Sequence, residues 1–235
     1  MIFDDRAGTA GHYEDVVPAA TERESFGVWS ANAGDEPEGG DWCAIVPLSA
    51  YTVALTIGDV AGHGVAAAAF RARMRASILA ALSETEVPSD VLSAANAVAY
   101  GEGFPTIVTA IVAVFDRRYR TLTFANSGHP APLLCARDGQ AFLEHRPADL
   151  PLGIFPEHAA ANYVIALPRD ALVVLYTDGI TEHERNPIQG EQELVVATRD
   201  VFGRPELEAA AAIADRVLRL ARGDDDAATM ALRLR

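Results

Sequence analysis

Apolar residues occur in short runs separated by turns rich in glycine and aspartate, and this pattern predicts a chain rich in β-strands. A first strand is indicated by Phe26, Val28 and Trp29, and the other runs lie at residues 42–48, 52–57, 106–115, 121–126, 162–167, 171–177 and 228–235. Several neighbouring runs are joined by tight turns, which is typical of antiparallel hairpins.

Three segments have the period or composition of helices instead. Residues 65–82 place an apolar side chain at every fourth position, which forms one stripe along a helix. The stripe consists of Phe70, Met74, Ile78 and Leu82. A second helix, capped by Ser89 or Asp90, is predicted to continue to about Ala99, and an alanine-rich helix is predicted over residues 204–222. Because helices and strands fall in separate blocks, the predicted fold class is α+β.

Composition narrows the classes of function. Half of the 235 residues are hydrophobic, so a large core is expected. With 19 basic and 33 acidic residues the net charge is −14, and such a surface repels phosphate backbones, so we expect no nucleic-acid partner. The start of the chain lacks a signal-peptide pattern and no apolar run could span a membrane, which predicts a cytoplasmic protein without a membrane partner. Cys43 and Cys135 match no zinc spacing and are predicted to be reduced core residues.

Aspartate occurs beside glycine or another acid at four places where an apolar run meets a loop. These places are Gly40-Asp41, Gly58-Asp59, Asp178-Gly179 and residues 223–226. We predict that Asp59 projects from the end of the 52–57 strand into a loop, where Gly62 and Gly64 let the backbone lie close to a ligand.

Carboxylates that meet at one edge of a fold require a cation, because without one some of them would have to protonate. Oxygen ligands without nearby cysteine or paired histidine favour Mg²⁺ or Mn²⁺ over Zn²⁺. Two such ions would activate a water for attack on a phosphoryl group. The alternative is that the four places are unrelated surface turns, since aspartate is a common turn former.

Six motifs, which occur in a fixed order along the chain, together resemble one known family of proteins. They are EGGDW, IGDVAGHG, ANSGHPAPLL, LPLG, LYTDGITEHERN and DDAATMALRLR. Together they resemble the bacterial metal-dependent protein phosphatases of the PPM (PP2C) superfamily, in the branch of the sigma-factor-regulating, sporulation stage II protein E-like phosphatases. The resemblance covers residues 25–235, so we predict one PP2C-like domain there and a weakly ordered N-terminal arm over residues 1–24. It implies a four-layer α/β/β/α sandwich, two antiparallel sheets flanked by helix pairs, with two metal ions at one end between the sheets.

The resemblance also implies a ligand set, carried over by motif. Asp59 would bridge both metals, Asp41 and the backbone carbonyl of Val60 would complete one of them, and Asp178 and Asp225 would hold the other. Asp59 and Asp178 are the residues predicted to be catalytic. Glu182 falls where relatives place an acid near a further, weaker metal position.

The sequence departs from the family pattern at several positions. Ala228 replaces a hydroxyl residue in the last motif, and a third aspartate leaves open whether Asp225 or Asp226 is the ligand. Ala61 stands where eukaryotic relatives have a histidine proposed as general acid, and no phosphate-gripping arginine is identified. His63 is given no role. His129 is interpreted as a turn histidine held by backbone rather than a catalytic one.

The predicted function is a Mn²⁺- or Mg²⁺-dependent serine/threonine protein phosphatase whose metal-activated water hydrolyses phosphoserine or phosphothreonine. By resemblance, its substrate would be an anti-sigma-factor antagonist. The alternatives are a non-catalytic partner-binding module on the same fold and a phosphatase for small phosphoesters. A further hypothesis is that residues 1–24 or the first helix pair (65–99) contact a partner protein or a second copy of the chain, giving a homodimer.

Overall fold

A computed structural model of the protein describes most of the chain. The described residues are 23–31, 39–102, 107–136, 140–147, 149–182, 186–202, 210–221 and 225–235. The predicted N-terminal arm lies outside them up to residue 22, and Glu24 is the first residue of a strand.

The described residues form ten strands and four α-helices. The strands are β1 (Glu24–Ala31), β2 (Trp42–Pro47), β3 (Thr52–Val60), β4 (Val108–Asp116), β5 (Thr121–Ser127), β6 (Leu133–Cys135), β7 (Ala141–Leu143), β8 (Tyr163–Ala166), β9 (Leu172–Tyr176) and β10 (Ala227–Leu234). The helices are α1 (Val65–Leu82), α2 (Pro88–Glu102), α3 (Pro187–Phe202) and α4 (Ala210–Leu218), with a 3₁₀ turn at Asp178–Ile180.

The strands form two antiparallel sheets of five strands each. Sheet A has the order β1-β10-β9-β6-β7, and sheet B has the order β2-β3-β4-β5-β8. The central ladder of sheet B pairs Thr52 of β3 with Asp116 of β4 at one end and Val60 with Val108 at the other. The first and the last described strands meet in sheet A, because β1 pairs with β10 along its whole length.

Three apolar cores separate four layers. The core between the sheets includes Phe26, Ile57, Phe115, Phe124, Met230 and Leu232. A second core, between sheet B and the pair α1 and α2, includes Trp42, Phe70, Met74, Ile78 and Leu92. A third, between sheet A and the pair α3 and α4, includes Val174, Tyr176, Leu194, Ile213 and Val217. The predicted α/β/β/α sandwich is therefore confirmed.

Two elements differ from the prediction. The strand predicted to end at residue 57 continues to Val60, because Gly58, Asp59 and Val60 remain paired with β4. Asp59 therefore lies within a strand rather than in the following loop. The helix α3 was not predicted, and of the helix predicted over 204–222 the structure describes Ala210–Leu218 as α4, with residues 203–209 and 222 outside the described part.

Other local predictions hold. The four residues of the predicted α1 stripe are all buried. Cys43 and Cys135 are buried, and they are not joined in a disulfide.

Among the described residues, no helix combines the length and the hydropathy needed to cross a membrane.

Candidate metal centre

Strand alternation directs Asp59 towards the space between the sheets. Successive side chains of a strand point to opposite faces. Val53, Leu55 and Ile57 of β3 belong to the core between the sheets, so Asp59 falls on the same face. The ladder continues past this core to Asp59 and its partner Thr109, which places the carboxyl group at the end of the sandwich.

Asp41 reaches the same end from the neighbouring strand. Cys43 and Ile45 of β2 face the other sheet, and Asp41, two residues before Cys43, continues that alternation. Its side chain is buried, with 6% of the residue exposed. Its Oδ2 accepts a hydrogen bond of 2.7 Å from the hydroxyl of Thr177, the residue directly after β9 of sheet A.

Asp178 comes from the end of β9 in the opposite sheet. It begins the 3₁₀ turn, and its carbonyl oxygen accepts hydrogen bonds of 2.7 Å from the amides of Thr181 and Glu182. A Cβ on Gly179 would overlap the carbonyl oxygen of Asp226. The glycine therefore allows the turn after β9 to lie directly against the residues that precede β10.

The two aspartates before β10 have different environments. Asp226 is buried, and its Oδ2 accepts a 2.7 Å hydrogen bond from the Gly40 amide across the sheets. Asp225 is exposed, and its Oδ1 accepts a 2.8 Å hydrogen bond from the Asp226 amide. Asp226 thus joins the two sheets, whereas Asp225 presents its carboxylate at the surface.

The carboxyl groups act on one another electrostatically. Burial, and then the charge of Asp59, raise the pKa of Asp41 well above its usual range, although the Thr177 hydrogen bond opposes the shift. Burial and the charges of Asp178 and Asp225 raise the pKa of Asp59 to about 7, while a hydrogen bond from Asp41 acts in the opposite direction. Burial, with Glu182 and Asp225, raises the pKa of Asp178. The predicted aspartates of both sheets therefore lie within reach of one another's charge.

Whether the predicted donors suit divalent ions depends on their arrangement and on their chemistry. In the described part of the chain, no three His, Cys, Asp or Glu side chains are grouped, as they are oriented here, to hold an ion. The backbone is nevertheless shaped around the predicted donors, because a Cβ on Gly40 would overlap the Val60 carbonyl oxygen and lie 2.8 Å from Asp59 Oδ1. The donors are all oxygen, and their mutual repulsion is what a hard cation relieves. The chemistry of these oxygen donors is therefore the kind that Mg²⁺ and Mn²⁺ prefer.

The other residues singled out in the sequence have separate positions. His63 is exposed in the loop before α1. His129 is buried, and its backbone amide and carbonyl both bond the side chain of Asn126, at 2.8 Å each. Its Nδ1 lies 2.9 Å from the Thr109 hydroxyl, and burial lowers its pKa to about 3. Glu182 is exposed next to Asp178.

Two residues that the sequence did not single out contact this end of the molecule. Thr177 bonds Asp41, and Arg71 of α1 donates a 2.7 Å hydrogen bond from Nη1 to the Gly39 carbonyl. A threonine directly before the Asp178-Gly179 pair was a visible signal for the first. The second had no signal, because Arg71 lies off the apolar stripe of α1 and its position in the sequence indicates no partner.

Comparison with known proteins agrees with this architecture. A family model described as stage II sporulation protein E (SpoIIE) matches residues 49–235. The crystal structure of the RsbU and RsbW domains of Rv1364c from Mycobacterium tuberculosis is 25% identical, with a TM-score of 0.79 over 94% of this chain and 63% of that one. The PP2C phosphatase domain and a regulatory fragment of SpoIIE from Bacillus subtilis is 20% identical, with a TM-score of 0.74 over 92% of this chain and 64% of that one. RsbX in complex with magnesium is 15% identical, with a TM-score of 0.72 over 92% of this chain and 98% of that one.

The two antiparallel sheets between helix pairs, with acidic groups at one end, define a fold of the PP2C phosphatase class. The chain belongs to the SpoIIE family, whose model matches most of its length. It spans less than two thirds of the first two structures named above.

Proposed function

We propose that the chain is a Mn²⁺- or Mg²⁺-dependent phosphatase that hydrolyses phosphoserine or phosphothreonine in a protein. The observation that carries the proposal is the meeting of Asp41, Asp59 and Asp178 at one end of the sandwich, where the charge of Asp178 raises the pKa of both Asp41 and Asp59. A site that concentrates negative charge in this way is suited to binding cations rather than to binding a phosphate directly.

The proposed ligands follow the strand ends. Asp59, Asp41 and the Val60 carbonyl would hold one ion, and Asp59, Asp178 and Asp225 would hold the other. Asp225 is preferred over Asp226 because Asp226 already accepts the Gly40 amide. When bound, the ions would supply positive charge to the phosphoryl oxygens and lower the pKa of the attacking water. The protein's own contribution is to hold the carboxylates of two sheets at one rim.

The proposed substrate is a phosphorylated regulatory protein, of the anti-sigma-factor antagonist type. Membership of the SpoIIE family and similarity to RsbU and RsbX support this class. Two cavities of about 430 and 130 Å³ are lined by residues of α3 and α4 and of the 149–159 segment, so neither encloses a small phosphoester at the aspartates.

The test is hydrolysis of a phosphoserine protein substrate with Mn²⁺, with Mg²⁺ and with a chelator. Activity should require the metal, and Asp59→Asn should lower it by about 100-fold or more while leaving the fold intact. The matched control is Asp116→Asn, because Asp116 lies at the opposite end of the same ladder. Turnover in the presence of chelator, or an Asp59→Asn variant as active as the control, would rule out the proposal.

A further inference from the structure

Thr177 occupies the junction between the two sheets at the candidate metal centre. It follows β9 directly and is fully buried, with 0% of the residue exposed. Its hydroxyl accepts a 2.8 Å hydrogen bond from the Ala228 amide at the start of β10 and donates a 2.7 Å bond to Asp41 Oδ2. A hydroxyl has one proton and two lone pairs, so the amide occupies a lone pair and the proton is available to Asp41.

The bond to Asp41 crosses from one sheet to the other. Thr177 directly follows β9 and Ala228 lies in the neighbouring strand β10 of sheet A, whereas Asp41 directly precedes β2 of sheet B. The residues are 136 positions apart in the sequence. The backbone carbonyl of Ala228, at 3.4 Å, is a more distant acceptor for the same proton. The closer carboxylate therefore receives it.

We propose that Thr177 is a positioning residue of the metal centre, which holds the Asp41 carboxylate by Oδ2 and orients its other oxygen for a divalent cation. This inference rests on the proposed function, because it assigns a supporting role at the same site. A carboxylate held at one oxygen loses less conformational freedom when it binds an ion. Residues that orient metal ligands in this way typically change metal affinity by about 10–100-fold when they are replaced.

Two substitutions separate the effect of the Thr177 hydroxyl from the effect of the side chain's shape. Thr177→Val keeps the volume and removes the donor, and Thr177→Ser keeps the donor and removes a methyl group. The matched control is Thr56→Val in β3, because Thr56 is also fully buried and its hydroxyl has no hydrogen-bond partner among the described residues. Thr177→Cys, with a weak donor of similar size, replaces the valine variant should that variant fail to fold.

The measurements are the Kd of Mn²⁺ by calorimetry on the full chain and the Mn²⁺ dependence of phosphatase turnover. Thr177→Val should bind Mn²⁺ about 10–100-fold more weakly, and saturating Mn²⁺ should restore most of its turnover. Thr177→Ser and Thr56→Val should remain within about threefold of the unmodified chain. Thr177→Cys should fall between the serine and valine variants.

Two negative results have different meanings. If the unmodified chain binds Mn²⁺ and a folded Thr177→Val variant binds it equally well, the positioning role is wrong and the proposed function stands. The same conclusion follows if Thr177→Ser loses as much affinity as Thr177→Val. If the unmodified chain binds neither Mn²⁺ nor Mg²⁺, the proposed function is wrong and the positioning role fails with it.

Discussion

Gly40 shows how a single missing side chain permits this site. The turn before β2 passes so close to the end of β3 that a Cβ at Gly40 would overlap the Val60 carbonyl oxygen. The same turn is held by a hydrogen bond from the Gly40 amide to the Asp226 carboxylate and by one from the Val60 amide to the Gly40 carbonyl. The backbone there therefore has little room to move away.

We expect Gly40→Ala to destabilise the protein by about 1–3 kcal/mol, because overpacking at a constrained position has costs of this size. It should also weaken Mn²⁺ binding, since the displaced atoms are proposed ligands. Gly101→Ala in α2 is the control: a Cβ there meets no atom within 4 Å, and alanine favours a helix. Urea unfolding and calorimetry measure both effects, and equal stability of the two variants would contradict the expected clash.

His129 makes the stability of the apoprotein depend on pH. Burial lowers its pKa in the folded state to about 3, whereas an unfolded histidine titrates near about 6.5. As the pH falls below about 6.5, the His129 ring therefore binds a proton in the unfolded chain but stays neutral in the folded one. This histidine should reduce the free energy of unfolding by about 2 kcal/mol between pH 7 and pH 5.

The prediction is tested with His129→Asn in chelator at both pH values. Between pH 7 and pH 5, the free energy of unfolding of the unmodified chain should fall by about 2 kcal/mol more than that of the variant. Asp59 acts in the opposite direction, because its pKa is raised to about 7 and the folded state gains stability as the pH falls. Both proteins retain Asp59, so it cancels in the difference. Identical changes for both proteins would exclude His129 as the source.

At the scale of elements, helix α1 is connected to the turn that carries Asp41. The apolar stripe of α1 packs on sheet B, and from the adjacent face Arg71 donates to the Gly39 carbonyl. The helix thus adds a contact to the turn, besides the hydrogen bonds that Gly40 makes with residues of the two sheets.

We expect Arg71→Met, which keeps the apolar stem, to weaken Mn²⁺ binding by roughly fivefold, because a partly buried hydrogen bond from a charged donor contributes about 1 kcal/mol or more. The control on the same helix is Arg73→Met, whose 2.8 Å ion pair with Glu102 is exposed and should contribute little. Calorimetric Kd values decide the outcome. Equal affinities of the two variants would show that α1 does not hold the turn.

At the scale of the whole molecule, the candidate centre lies where both sheets end. Ions that bind there would join ligands from sheet A and sheet B, and the unfolded chain does not assemble this set. Binding only to the folded state raises stability by about 2.7 kcal/mol when the ion is at 100 times its Kd.

We therefore expect Mn²⁺ to raise the melting temperature by about 5–10 °C, in a concentration-dependent manner that a chelator reverses. Asp59→Asn should lose most of this rise. A thermal scan without and with Mn²⁺ provides the measurement. A transition that does not respond to Mn²⁺ or Mg²⁺ would contradict a site that joins the sheets.

The sequence predicted elements best where local periodicity is strong. The α1 stripe and most strands were correct because burial on one face imposes a period on neighbouring residues. Helix α3 was missed because Leu194 and Val201 are its only large apolar residues that are fully buried, whereas Ile188 and Val196 are exposed and blur the period. The extent of β3 was also underestimated, since Gly58 is a poor strand residue that the pairing with β4 retains.

The sequence by itself determined the alternation of strands, the helix stripe, the acidic character and the presence of aspartates at strand ends. It also contained the motifs that relate the chain to its family. Only the tertiary structure decided which aspartates meet, that Asp226 rather than Asp225 joins the sheets, and that Thr177 bonds Asp41. The reason is physical: periodicity is a property of residues a few positions apart, whereas these contacts join residues 136 and 186 positions apart. They are set by strand pairing and by the packing of the two sheets.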